Sequence, residues 1–353
     1  MSGPALGKFA PAEFERVIAH RLGAKRDEVV IGPGVGRDSA IVKVGAGRVM
    51  AVTTDPLSLI PAFGAADSAR LACHLLASDL WTSGIPPAYA SVCFALPPDL
   101  ADAEFAAYWE AMSAEFEALG IAVVAGHTGR YAGCGLTIVG AATLVGVGDE
   151  GRVIGAPHVR AGDRVLMTKD AAVEATAVAA RLFPKRLAAA LGDDDAAFAR
   201  ARSRAVSVVA DCRAALRAGV RDRGVSMLHD ATEGGVLGGL LEIAKATGFD
   251  VRVAEDAILV SPEARAACGL FGLDPLWTLS EGTLLATVRP AYAAAVIEAL
   301  AADGIAAADV GEVMRGTGAV WLTRTDGTVE TLAEPRADGY WAAYERAVSE
   351  GWS

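Results

Sequence analysis

The segment LHDATEGGVLGGLLEIAKATG (228–248) sets His229, Asp230, Glu233 and a glycine pair at the mouth of an apolar run. Val236, Leu237, Leu240, Leu241, Ile243 and Ala244 recur there at helical spacing, and Gly248 supplies a stop. Two chemistries suit this arrangement. Asp230 with Glu233 three residues later fits a capping box, whose carboxylates satisfy free amides at the positive helix end. The same helix end also attracts a phosphate or a metal–phosphate group.

Three aspartates extend the question. Asp38 follows Gly32, Gly34 and Gly36; Asp55 ends VTTD, after Thr54; Asp79 lies in LACHLLASDLW. On a helix Asp79 shares the stripe of Leu75 and Leu76, where a carboxylate needs a cation, hydrogen bonds or a metal. Asp38 and Asp55 are expected beside strand ends, where loops carry function. Three carboxylates with nucleotide phosphates suit Mg2+, a hard ion that takes oxygen ligands. Two turn aspartates and one core salt bridge would account for the same residues.

GHTGRYAGCG (126–135) offers a flexible backbone with His127, Thr128 and Arg130, read as a polar loop between two strands. Cys134 is a weak candidate nucleophile, since the sequence around it argues no setting that favours a thiolate. Glu281 in TLSEGTLL precedes a strand and serves either as a turn residue or as a base. Lys8, beside Gly7, sits on an N-terminal segment that could fold over a phosphate. No GxxxxGK[ST] loop occurs, and the GxGxxG at Gly146, Gly148 and Gly151 lacks a following helix, so it reads as a hairpin turn.

These residues need a scaffold. A chain of 353 residues with 53% hydrophobic and 21% charged content is globular and large enough for two domains. A net charge of -11 without a basic cluster argues against nucleic-acid binding. Five scattered cysteines form no CxxC pair and suit a reducing cytoplasm. No secretory signal or bilayer-length apolar run is read, so no membrane association is expected.

Helices are expected at 11–22, 65–83, 101–119, 172–182, 195–218, 234–247 and 292–303, with a closing helix from 340. Strands are expected in the two segments of 31–55, in AYASVCFALP, IAVVAGHTGR, LTIVGAATLVGV, RVLMTK, VRVA and EGTLLATV, and as a pair in AADVGEV and AVWLTR. The alternation describes an α+β first domain, a junction at GAPHVRAGD, and a second domain. The expected division is 1–155, 156–335 and a tail helix at 336–353.

The order of GVGRDSA, TTD, LASDLWTSGIPP, GHTG, GDRVLMTK, HDATEGGV and SEGTLL resembles the PurM-like superfamily. That superfamily includes aminoimidazole ribonucleotide synthetase, selenophosphate synthetase, thiamine monophosphate kinase and HypE. The likeness runs over roughly residues 7 to 325 and is nearest to the HypE-like, AIR synthase-related branch. It implies a two-domain α+β fold whose N-terminal domain pairs with its twin in a β-barrel-like dimer core, followed by a C-terminal α/β domain. It implies ATP and Mg2+ as cofactors, with Asp38, Asp55 and Asp79 as metal and phosphate ligands and Asp230 meeting metal, polyphosphate or substrate. By the same resemblance Lys8, Thr54, Gly126, His127, Thr128 and Glu233 contact nucleotide or substrate, and Glu281, His127 and Asp230 serve the chemistry.

The implied reaction activates a small carbonyl or amide-type group by phosphorylation, on an unidentified substrate. The alternatives are a small-molecule kinase like thiamine monophosphate kinase and a non-catalytic nucleotide-binding maturation factor. Departures from the family narrow this. HypE-type proteins end in a substrate cysteine, whereas this chain ends SEGWS with Cys268 as its last cysteine, so modification of its own tail is not expected. Selenophosphate synthetases carry a cysteine or selenocysteine near the Gly-Lys pair; the first cysteine here is Cys73. The position of Glu233 is commonly arginine, and that of His127 commonly an acid, which leaves the substrate open.

Overall fold

The computed structural model describes residue 9, residues 11–192 and residues 202–352. Lys8 and the first part of the helix expected at 195–218 lie outside the described residues. The chain divides into two compact units. The N-terminal unit is Glu28–Gly32 with Asp38–Val153; the other runs from Ile154 and takes in Pro33–Arg37 and the described residues before Glu28. The tail after 335 groups with this C-terminal unit too.

Helix α1 (Pro11–Val17) stops short of the expected residue 22, and none of its residues is buried. In the N-terminal unit follow β1 (Val29–Ile31), β2 (Ala40–Gly45), β3 (Arg48–Ser58), α2 (Gly64–Trp81), β4 (Tyr89–Leu96), α3 (Asp102–Leu119), β5 (Ala122–Arg130) and β6 (Ile138–Asp149). The strands form one open sheet, ordered β1-β2-β3-β6-β4-β5, with only β4 and β5 parallel. Alternate residues Val49, Ala51, Thr53 and Leu57 of β3 are buried, as the period of a one-sided sheet requires. Helix α3 is seated on β4, with Phe94 edge-on to Phe105, Tyr108 and Trp109 at centroid distances of 5.0, 6.2 and 5.8 Å. It ends on Gly120, whose φ of 75° supplies the left-handed turn that releases the chain into β5.

Three expectations change here. Asp55 lies inside β3, which runs on to Ser58, rather than at its end. Residues 126–130 belong to strand β5, as the expected strand IAVVAGHTGR has them, so the loop read at 126–135 is confined to 131–137. Gly146 and Gly148 are not in a hairpin turn but within β6. A side chain at Gly146 would come within 2.4 Å of the Pro86 carbonyl, and one at Gly148 within 2.7 Å of Ile85, so both glycines answer to packing.

The C-terminal unit contains β7 (Arg164–Thr168), α4 (Val173–Leu182), α5 (Pro184–Leu191), α6 (Val209–Arg217), β8 (Val225–Ala231), α7 (Gly235–Thr247), β9 (Asp250–Ala254), α8 (Pro262–Phe271), β10 (Thr283–Val288), α9 (Ala293–Ala302), β11 (Ala307–Met314), β12 (Val320–Thr323), β13 (Val329–Leu332) and α10 (Tyr340–Ser349). Its sheet is ordered β13-β12-β9-β11-β7-β10-β8. The expected pairing of AADVGEV with AVWLTR does not form. Strand β9 lies between β11 and β12, and β12 runs parallel to it. Asp250 fixes that join, accepting the amides of Thr317, Gly318 and Ala319 at 2.8, 3.0 and 3.0 Å and the Trp321 indole at 2.8 Å.

Helix α7 lies against this sheet through Leu237, Leu240, Leu241 and Ile243, packed with Val251, Leu285, Val313 and Val320. Each such aliphatic side chain contributes roughly 1.5–3 kcal/mol on burial. A second cluster joins α4, α5, α8 and α10 through Ala175, Ala179, Phe183, Leu187, Phe271 and Tyr340.

Candidate functional site

In the N-terminal unit, β3 and α2 bring acids together. The Thr53 hydroxyl lies 2.9 Å from the Asp38 carbonyl and 3.0 Å from Asp79 Oδ2. With a single hydrogen to donate, it is shared between a backbone oxygen and a carboxylate. Asp55, two residues along β3, falls on the same side of the sheet by strand alternation and is half-buried. Asp38 and Asp79 are half-buried as well. The result is a group of oxygen donors from the approach to β2, from β3 and from α2.

Thr54 is not part of it. Its side chain points to the other side of the sheet, where its hydroxyl is 2.8 Å from that of Thr143.

Register places the 126–128 segment. Asp55 pairs with Ala142, Ala142 with Val92 and Val92 with Gly126, so Asp55 and Gly126 share one row across the sheet. Three strand spacings separate them, roughly 14 Å, too far for one ion and within the length of a nucleotide. Gly126 allows a close approach, since a side chain there would meet the Val92 carbonyl at 2.6 Å. Thr128 lies on the same side as Gly126 two residues on. His127 alternates to the opposite side, beside Cys93, and its Nε2 is 2.7 Å from the Tyr131 hydroxyl. His127 therefore lies on the other side of the sheet from Asp55.

In the C-terminal unit, the capping box does not form. Asp230 is a buried residue of β8, opposite Leu284 on β10. The helix α7 begins instead on Gly234, whose φ of 83° turns the chain, and whose amide donates to Asp338 Oδ2 at 3.1 Å. The carboxylate at the helix mouth comes from far along the chain. His229 Nε2 is 2.8 Å from Glu242 Oε2, which ties β8 to α7.

Ser280 gathers the surrounding segments. Its amide donates to the Thr232 carbonyl at 3.2 Å, and its hydroxyl accepts the Ala172 amide at 2.7 Å. The Ala175 amide donates to the Leu279 carbonyl at 3.2 Å. These bonds hold together the start of α4, the approach to α7 with Glu233, and the loop carrying buried Glu281.

Sequence reasoning missed Thr53, Glu174, Asp338 and Tyr340. Glu174, in the first turn of α4, is held mostly uncharged at neutral pH. Burial, then the carboxylates of Glu233 and Asp338, push its carboxyl up to about 8. Asp338 is itself raised by burial, against the amides of Tyr340, Gly234 and Leu279 that favour its charge. Strand alternation in VTTD could have singled out Thr53; residues 174, 233 and 338 share no local pattern.

Two profiles match the chain. "AIR synthase related protein, N-terminal domain" covers residues 36–147, and "AIR synthase related protein, C-terminal domain" covers residues 160–322. A relative named carbamoyl dehydratase HypE, from Bradyrhizobium diazoefficiens, is 31% identical over 287 residues, 79% of this chain and 78% of its own. Among solved structures, hydrogenase maturation protein HypE in complex with ATP matches at a TM-score of 0.66 and 23% identity, covering 88% of this chain and 92% of its own. AaThiL complexed with AMPPCP and TMP matches at 0.69 and 18%, covering 90% and 94%. At those identities the two structures speak to the fold.

Proposed function

The chain belongs to the AIR synthase-related family, and from that premise we propose that it is an ATP- and Mg2+-dependent enzyme that activates a small carbonyl or amide-type group by phosphorylation. The observation that carries this reading is the Thr53 hydroxyl held between Asp38 and Asp79, with Asp55 on the same side. All of these are oxygen donors, the type a hard divalent ion takes, so the residues present fit Mg2+. The bound ion supplies charge neutralisation to the polyphosphate. Asp38, Asp55 and Asp79 hold it there, while Gly126 and Thr128, in the same row of the sheet and just beyond, lie along the nucleotide.

In the C-terminal unit Asp230 and Glu233 serve the substrate end, and Glu281 removes a proton from the group that attacks phosphorus. Burial and the Ser280 bonds fix Glu281 in position. A phosphorylated amide-type oxygen then leaves as phosphate, and dehydration or ring closure follows. Catalysis of this kind is positioning and charge stabilisation.

The open side of the N-terminal sheet supports a homodimer. Tyr89 and Val147 point there and are 45% and 40% exposed, more apolar surface than a solvated face needs. The five cysteines form no disulfide among the described residues, which fits a cytoplasmic setting, and no described helix is long and apolar enough to cross a membrane.

Calorimetry with a non-hydrolysable ATP analogue and Mg2+ tests the reading. Wild type is expected to bind with Mg2+-dependent affinity, and Asp79→Ala to bind at least about ten-fold more weakly. Undiminished binding by that variant would remove the assigned site. Product analysis separates the two catalytic alternatives, because a dehydratase releases free phosphate whereas a kinase leaves it on the product.

A further inference from the structure

We infer that Lys169 is a positioning residue for Glu281, because it fastens residues 205–207 as a backstop behind the turn that carries Glu281. The inference rests on the reading above for the role of Glu281. Its geometry lies wholly within the C-terminal unit.

Glu281 sits in a tight turn. The Thr283 amide donates to the Ser280 carbonyl at 2.9 Å, so Glu281 and Gly282 are the central pair. Gly282 has a φ of 102°, the left-handed value that a turn of type II takes at its third residue. The ends of the turn are bonded to the connection 169–172, between β7 and α4. The Ala172 amide donates to the Ser280 hydroxyl at 2.7 Å, and the Thr283 hydroxyl donates to the Asp170 carbonyl at 2.5 Å.

The tip of the turn is held by contact. A side chain at Gly282 would come within 2.4 Å of the Ala205 carbonyl, 3.0 Å of Val206 Cα and 3.1 Å of Val173 Cγ1. Backbone from 205–206 is thus pressed against backbone of the turn, and only a glycine fits between them. That stretch has its own anchor. The Lys169 ammonium donates to the Ser207 carbonyl at 2.7 Å and to Asp211 Oδ2, in the first turn of α6, at 2.8 Å. Val206 and Val208 flank the bonded carbonyl and are both buried. The connection 169–172 therefore grips the turn directly through Asp170 and Ala172, and from behind through Lys169.

Backbone strain marks the same connection. Lys169 and Ala172 have φ values of 57° and 55°, in a region that a Cβ disfavours. Residues persist there when the bonds around them over-determine the conformation. Ala172 has its bond to Ser280, and Lys169 has its bonds to residues 207 and 211. Asp211 depends on that pairing. It is buried, its Oδ1 has no hydrogen-bond partner among the described residues, and Lys169 is the cation that supports its charge. A lysine that only tied α6 to β7 would make these same bonds. The contact of 205–206 with Gly282 extends its reach to Glu281.

Hydrogen exchange and carbon-detected NMR test this on the full chain, carrying 13C-labelled glutamate and without nucleotide. The Glu281 carboxyl resonance is identified by its loss in Glu281→Gln. In Lys169→Met the Glu281 resonance should move from its wild-type position. The Thr283 amide should exchange at least about ten-fold faster, relative to the Val251 amide, which is bonded to the Ala319 carbonyl at 2.9 Å on β9 of the same sheet. Should Lys169→Met fail to fold because it strands Asp211, the double variant Lys169→Met, Asp211→Asn removes that charge and carries the test. Wild-type behaviour at Thr283 and Glu281 would overturn the backstop, whether or not residues 205–208 exchange faster. Equal acceleration at Thr283 and Val251 would overturn it too, since that reports a general loss of stability. With no nucleotide present, the result is independent of the calorimetry above. Undiminished binding of the ATP analogue by Asp79→Ala defeats the proposed activity and leaves the backstop standing; an indifferent Glu281 resonance does the reverse.

Discussion

Strand β5 and strand β10 are opposites. Nearly every residue of β5 is exposed, and every residue of β10 is buried. The N-terminal sheet is covered on one side by α2 and α3, so β3 and β4 alternate and the other side meets solvent, while β5 stands exposed at the edge. The C-terminal sheet has no such alternation in β8 and β10, and its interior therefore holds polar groups that must find partners. Arg289 shows how. It binds both oxygens of buried Asp163 at 2.5 Å and the His158 carbonyl at 2.6 Å, while Ser226 donates to Asp163 at 2.7 Å. In the first sheet, exposure points to a partner surface. In the second, burial calls for a protein partner at each polar group.

Three changes would break or sharpen that contrast. Val147→Asp puts a charge on the open face of β6 and, in a symmetric dimer, on both copies at once. Self-association should weaken at least about a hundred-fold, as read by sedimentation equilibrium, because uncompensated interface charges cost several kcal/mol. Unchanged association would separate the exposed face from dimerisation.

Arg289→Met should lower stability in urea denaturation by about 3–5 kcal/mol, since it strands the Asp163 carboxylate in the buried sheet. A loss below about 1 kcal/mol would show that the second sheet tolerates unmatched charge, and the contrast would fail.

Glu174→Gln gives the smallest effect and depends on pH. The folded carboxyl titrates near 8, above its ordinary value of 4.5, so between those values the folded state holds more protons than the unfolded. Stability of the wild type therefore falls as pH rises through that window, and is fully present below it. Thermal melts at pH 5 and pH 8 should show a smaller drop in the glutamine variant. Equal drops would mean that Glu174 is already compensated.

Much of this was legible in the sequence. Periodicity located α2, α3 and α7, and glycines marked the ends of α3 and α7. The acids of the N-terminal group were visible from their types and spacing. The register that sends His127 and Thr54 to the opposite side from Asp55 was not, because one residue's shift along a strand exchanges every side chain between faces. The place of Asp230 in a strand was hidden for a different reason. A strand buried on both sides carries no alternation, so HDA looked like the lead-in to a helix. The parallel join of β9 and β12 depends on Asp250 capturing amides at 317–319, a contact that no local pattern encodes. The meeting of Glu174, Glu233 and Asp338 is likewise tertiary; each alone reads as an ordinary helix-end or turn acid.

Gly36 adds a consequence for how the chain is made. It belongs to the short stretch Pro33–Arg37 that groups with the C-terminal unit although N-terminal residues flank it on both sides. Its backbone lies so close to the Glu242 carbonyl that a side chain would come within 2.5 Å. During synthesis that carbonyl leaves the ribosome about 200 residues later, well after the first sheet can have formed. The nascent polypeptide must therefore keep this small loop undocked while the earlier strands emerge, and seat it only once α7 has followed.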